Sequence, residues 1–113
     1  MDLTKPTALF IGRYQPFHPG HRALIEEGIR REGQAIICVR LMPPDNKNPF
    51  TYLEVSARIH KHMAEHKGKF IVSPIPNISA VYYGRDVGYK VEQIHLDADT
   101  EAISGTAIRE RKS

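Results

Sequence analysis

The chain has 113 residues, 41% of them hydrophobic and 26% charged, a composition that suits one globular unit and excludes fibrous or low-complexity chains. No apolar run approaches the ~20 residues of a membrane span, and the opening "MDLTKP" lacks the basic and apolar regions of a secretion signal, so a single cytoplasmic domain over residues 1–113 is expected. The net charge of +3, from 16 basic against 13 acidic residues, is spread without a basic block. Nucleic acid and membrane are therefore not expected partners, and a small anionic ligand accounts for the excess.

In chain order, "TALFI" (Thr7 to Ile11) reads as a buried strand. From Pro19 to Arg31 apolar Leu24, Ile25 and Ile29 alternate with charges at helical spacing, and Gly33 offers a stop. "AIICVRL" (Ala35 to Leu41) is a second strand, and it carries the single cysteine, Cys38. One cysteine permits no internal disulfide, and a buried thiol is expected. "MPPDNKNP" (Met42 to Pro49) is a loop by its prolines and Asx residues. Thr51 to His66 returns to helical spacing, with Tyr52, Val55, Ile59 and Met63 on one side. Thr51 and Glu54 form a capping box at its start.

"FIVSPI" (Phe70 to Ile75) is a third strand and "AVYYG" (Ala80 to Gly84) a fourth. "YKVEQIHL" alternates apolar and polar residues as a fifth, less buried strand. "SGTAIRERK" closes the chain as a short helix capped near Ser104. Strands alternating with helices predict a mostly parallel sheet with right-handed crossovers.

The chemistry concentrates at the first strand-to-helix seam, "GRYQPFHPGH" (Gly12 to His21). In open α/β sheets, ligands sit at the carboxyl ends of strands beside helix N-termini. Gly12 admits a close backbone approach, while Pro16 and Pro19 stiffen the turn. His18 and His21, three apart around the first helical turn, share a face where free N–H groups favour an anion. Two imidazoles aimed at one point can donate to phosphate oxygens that gain charge during reaction. Arg13 adds a fixed cation. Zinc ligation would need a third ligand, and with Cys38 the only cysteine none is obvious. The pattern of Gly and Pro also argues against two idle surface histidines.

"GRYQPFHPGH" resembles the signature of the HxGH nucleotidyltransferase superfamily, in the wording of the archaeal-type nicotinamide-mononucleotide adenylyltransferases. Cytidylyltransferases usually carry "GTFD" where this chain has "GRYQ". "ISGTAIRER" (Ile103 to Arg111) resembles the superfamily's second signature, and "NPFTYLEVSARI" (Asn48 to Ile59) its "PFT…ERI" stretch. The resemblance implies a Rossmann-like three-layer sandwich with a mostly parallel five-stranded sheet. It implies transfer of a nucleoside monophosphate, AMP before CMP, from ATP or CTP to a small phosphorylated acceptor. Pyrophosphate would be released, and Mg2+ would neutralise the triphosphate.

By the same resemblance His18 and His21 serve the transition state, with Arg109. Gly12, Arg13, Tyr14, Lys47, Ile103, Ser104, Thr106 and Arg109 hold the nucleotide. "YYGRDVGY" (Tyr82 to Tyr89) follows a predicted strand, which would bring Gly84, Arg85 and Asp86 to the ligand-facing edge beside the base. His62 and His66, four apart on the second helix, have a metal-binding spacing but read as a solvated face.

The acceptor side departs from the pattern. The chain has no tryptophan, the segment from Pro74 to Val91 is short, and the family's extension beyond the terminal helix is missing. The sequence therefore disfavours nicotinamide mononucleotide and leaves the acceptor unnamed. A homodimer could supply the missing cover. A nucleotide-binding module without catalysis is the rival reading, though binding alone would not need both histidines. A dehydrogenase-like Rossmann domain is a distant third, because no GxGxxG follows the first strand.

Overall fold

Two capped helices separate three apolar runs, and each run becomes a strand. The computed structural model of the chain describes residues 1–86 and 88–96. The order is β1 (Ala8–Gly12), α1 (Pro19–Glu32), β2 (Ala35–Arg40), α2 (Tyr52–His62), a single 3-10 turn (Ala64–His66) and β3 (Phe70–Ile75). The Gly33 stop is real: its φ of 94° is left-handed, and its N–H closes the helix on the Ile29 carbonyl. The capping box of α2 is present as well, with Thr51 accepting from the Glu54 N–H and Glu54 returning to the Thr51 N–H.

The three strands form a parallel sheet with β2 in the centre. Phe10, Ile37 and Val72 lie in register across it, as do Gly12, Val39 and Pro74. Right-handed crossovers in one direction put α1 and α2 on the same face. The core forms there. Phe10, Ile37, Val39 and Phe70 from the sheet meet Ile25 and Ile29 of α1, and Val55, Ile59 and the following Met63 of α2. A Cβ on Gly28 would stand 2.3 Å from Cζ of Phe10, so α1 rests on that ring through a residue without a side chain.

Cys38 is buried and unpaired, as expected, and burial pushes its thiol up. Among the described residues no helix is long and apolar enough to cross a membrane.

The Rossmann-like α/β architecture with a parallel sheet is borne out, with a narrower extent than five strands. Residues 80–84 and 89–96 are not strands. Their Val and Tyr content suits a pleated surface, but β-propensity acts only where a neighbouring strand accepts the residue. The described residues give two layers rather than three, since Leu9, Ile11 and Ile71 on the sheet's other face are exposed. The terminal helix expected from Ser104 lies outside the described residues.

Candidate active site

Helix α1 starts on Pro19, and Pro cannot donate, so the free N–H groups of its first turn belong to Gly20 and His21. The residue before Pro19 must cap them, and that residue is His18. Its backbone is extended, and its Nδ1 accepts from the Gly20 N–H at 3.1 Å and the His21 N–H at 3.4 Å. His21 reciprocates, its Nδ1 accepting from the His18 N–H at 3.2 Å. Two histidines thus form the reciprocal box that Ser/Thr and Glu/Gln usually make. The rings stack at 3.6 Å between centroids with 20° between planes.

This arrangement sets the protons. An Nδ1 that accepts a backbone N–H carries no hydrogen, so the neutral ring holds its proton on Nε2. Both imidazoles therefore offer an Nε2–H donor, and neither Nδ1 is free to leave the cap. Charge is disfavoured in both. Burial pushes His21 down to about 3, with His18 adding to the effect. Burial also lowers His18, and the Arg58 guanidinium lowers it further.

The pair is held by aromatic packing. Phe17 is fully buried and stacks on His21 at 5.6 Å, and Tyr14 meets the same ring edge-on at 4.9 Å. Tyr14 has a φ of 53°, uncommon without glycine, which folds its ring back over Gly12. A Cβ on Gly12 would lie 2.8 Å from that ring. The close approach that Gly12 permits is thus to Tyr14, where the sequence suggested a ligand. Burial raises the Tyr14 phenol well above its ordinary range.

The second loop docks on the first. Gln15 spans both backbone groups of Phe50, donating to its carbonyl at 3.0 Å and accepting its N–H at 2.9 Å. Arg13 reaches the buried Asn48 at 3.5 Å. Asp45 fastens the loop by accepting from the backbone N–H groups of Lys47 and Asn48. Arg13 and Lys47 are therefore carried by loops in contact with each other, both exposed.

Gly84, Arg85 and Asp86 are exposed and follow no strand, contrary to the premise that would bring them to the site. Among the described residues no hydrogen bond, ion pair or ring contact joins them to the histidines. Asp86 accepts from the Gly88 N–H. Ile103, Ser104, Thr106 and Arg109 lie outside the described residues.

Gln15, Asn48 and Arg58 were not singled out in the sequence. Arg58 donates from Nε to the Phe17 carbonyl at 2.7 Å. Its one available signal is its place in the "PFT…ERI"-like stretch.

The donors around the pair are cationic or neutral, which suits phosphate oxygens and not a bare divalent ion, since Mg2+ takes carboxylates and substrate phosphates. The described group with a metal-like make-up is Glu26, Glu65 and His66. There Arg22 is ion-paired with both glutamates, and His66 contacts Glu26 at 2.8 Å.

Comparison with known proteins places the chain in a family. A family model described as cytidylyltransferase-like matches residues 9–69, which run from within β1 to the residue before β3. A nicotinamide-nucleotide adenylyltransferase of Methanococcus aeolicus is 31% identical over 131 aligned positions, taking in 92% of this chain and 76% of the relative. One from Methanolobus tindarius is 30% identical, over 92% and 75%. Among solved structures, a bifunctional NMN adenylyltransferase/ADP-ribose pyrophosphatase from Francisella tularensis superposes with a TM-score of 0.59 at 26% identity. That match covers 64% of this chain and 22% of the larger protein.

Proposed function

The chain belongs to the cytidylyltransferase-like family and is an enzyme of the adenylyltransferase kind, and on that premise we propose that it transfers AMP from ATP to a small phosphorylated acceptor. The observation that carries this reading is the histidine cap. Helix α2 neutralises its own N-terminus with Glu54, whereas the first turn of α1 holds no acidic residue. The positive end of α1 is left for an external anion, beside two uncharged Nε2–H donors.

The chain's own residues divide the work in the following way. Arg13 and Lys47 hold the outer phosphates, with Ser104, Thr106 and Arg109 as their proposed partners from the terminal motif. His18 and His21 donate to the non-bridging oxygens of the α-phosphate. An acceptor phosphate oxygen attacks the α-phosphorus in line, a new P–O bond forms, and the bond to the β-phosphate oxygen breaks. Pyrophosphate leaves with that electron pair. No proton need move at the histidines. They stabilise charge as it builds, which matches rings held neutral and fixed before reaction. Mg2+, arriving with the nucleotide, supplies neutralisation of the triphosphate charge.

The relatives are named for a nicotinamide nucleotide, and they make nicotinamide mononucleotide the first acceptor to try. Pyrophosphate release with ATP or CTP, Mg2+ and a panel of phosphorylated acceptors tests the reading. Release with ATP and one acceptor, abolished in His18→Ala/His21→Ala, is the expected result. Release with CTP alone would replace the base. No release with any pair would overturn the reading in favour of a binding module.

A further inference from the structure

Most arginines described in this fold have an oxygen partner that accounts for them. Arg22 pairs with Glu26 and Glu65, and Arg30 and Arg31 converge on Glu27. Arg13 and Arg40 reach the side chains of Asn48 and Asn77. Arg58 differs. It is half-buried on α2, and its Nε–H is committed to the Phe17 carbonyl. Among the described residues it has no carboxylate partner.

The Phe17 carbonyl stands one residue outside the cap, where α1 supplies it no N–H, so an external donor is required. Arg58 meets that need from 41 positions away. It thereby joins α2 to the residue that precedes the histidine box. It also brings a positive charge to the neighbourhood of His18.

We propose that Arg58 is the positioning residue of this site. By donating from Nε to the Phe17 carbonyl, it ties α2 to the residue that precedes the histidine box and holds a guanidinium beside His18. The role rests on the adenylyltransferase reading for its purpose, but its physical basis stands apart from activity.

Two stacked imidazoles at 3.6 Å cannot both be charged at small cost. A proton arriving on the Nδ1 of His18 would also face the two N–H groups that it now accepts, and the cap would open. Burial first, and the Arg58 guanidinium second, lower the proton affinity of His18. The other groups about the pair are Arg13, Tyr14 and Phe17 on the loop, Arg22 on α1, and His62 on α2, whose ring lies 6.3 Å from Phe17. Among the described residues no carboxylate is bonded to either histidine. Arg58 is thus a nearby charge that acts on His18 without pinning it as an ion pair.

The test follows the imidazole nitrogens of the full chain by NMR against pH, alongside the pH profile of pyrophosphate release. Arg58→Gln keeps a donor for Phe17 and removes the charge. It should raise the His18 midpoint by on the order of 0.5–1 unit, and move the acidic limb of kcat the same way. Arg58→Lys keeps the charge and should stay with wild type. An unchanged His18 midpoint in Arg58→Gln would overturn the proposal, and so would an equal shift in both variants.

Should Arg58→Gln fail to fold, the wild type decides. Its Arg58 Nε–H should be protected from exchange and shift as His18 titrates, and an Nε–H that exchanges freely or ignores His18 overturns the proposal. If wild type releases no pyrophosphate, the adenylyltransferase reading fails while the His18 titration still decides the role of Arg58.

Discussion

The seam between β1 and α1 and the segment from residue 79 to 96 are built in opposite ways. In the seam Tyr14, Pro16, Phe17 and His18 are all buried, and each histidine is fixed by the other's backbone. In the later segment Val81, Tyr82, Tyr83, Tyr89 and Val91 are exposed, while Ile94 packs on the core. The histidine seam is therefore preorganised by the first two β-α units, before any ligand arrives. The nucleotide-binding residues expected at Gly84 to Asp86 stand on no comparable scaffold among the described residues.

The largest effect should come from separating the chemistry of the cap from its structure. Asn is a good N-cap, and Gln at the third helical position can reach back to the cap N–H. The double variant His18→Asn/His21→Gln should keep its thermal midpoint near wild type. Its turnover should fall roughly 10²–10³-fold, the loss typical of removing fixed donors from a developing oxyanion. An equal loss of stability and activity would mean that the histidines only cap.

Acid should expose the same coupling next. The unfolded chain takes up protons on histidine near 6.5, while the fold holds His21 down to about 3 and His18 below its ordinary value. The unfolded state binds more protons across that window, so stability falls as pH drops from about 6.5 toward about 3 and is whole above it. Urea midpoints against pH should show this slope in wild type, and the double variant should flatten it.

Packing beneath the seam comes third. Gly28→Ala would place a Cβ against the Phe10 ring and should cost about 1–3 kcal/mol by denaturant unfolding, as overpacking does. Tyr82→Ser in the later segment should change stability by less than about 0.5 kcal/mol, the usual range for a surface position, since Tyr82 is 90% exposed. A large loss there would show that the two regions are less different than their burial indicates.

Much of the first region was legible because its signals are local. Gly33 and the Thr51–Glu54 pair mark the helix ends within the reach of a few residues, and β3 runs over the expected Phe70–Ile75. The histidine spacing gave the shared face but not the cap. The missing signal was negative: Pro19–Gly20 opens a helix with no Ser, Thr or Asp before it, so His18 had to serve. Gln15 with Phe50, and Phe17 with Arg58, are bonds between distant positions, which no periodicity encodes. The strands expected at 80–84 and 89–96 rested on side-chain preference alone, and preference does not supply a ladder partner.

The most direct measurement is the tautomer of the two rings. Long-range proton–nitrogen NMR of the wild type at pH 7 should show His18 and His21 both neutral and both protonated on Nε2. Addition of ATP with Mg2+ should then shift both Nε2–H signals. A ring protonated on Nδ1, a charged ring, or Nε2 signals indifferent to the nucleotide would contradict the claim that this cap is the phosphate-handling centre.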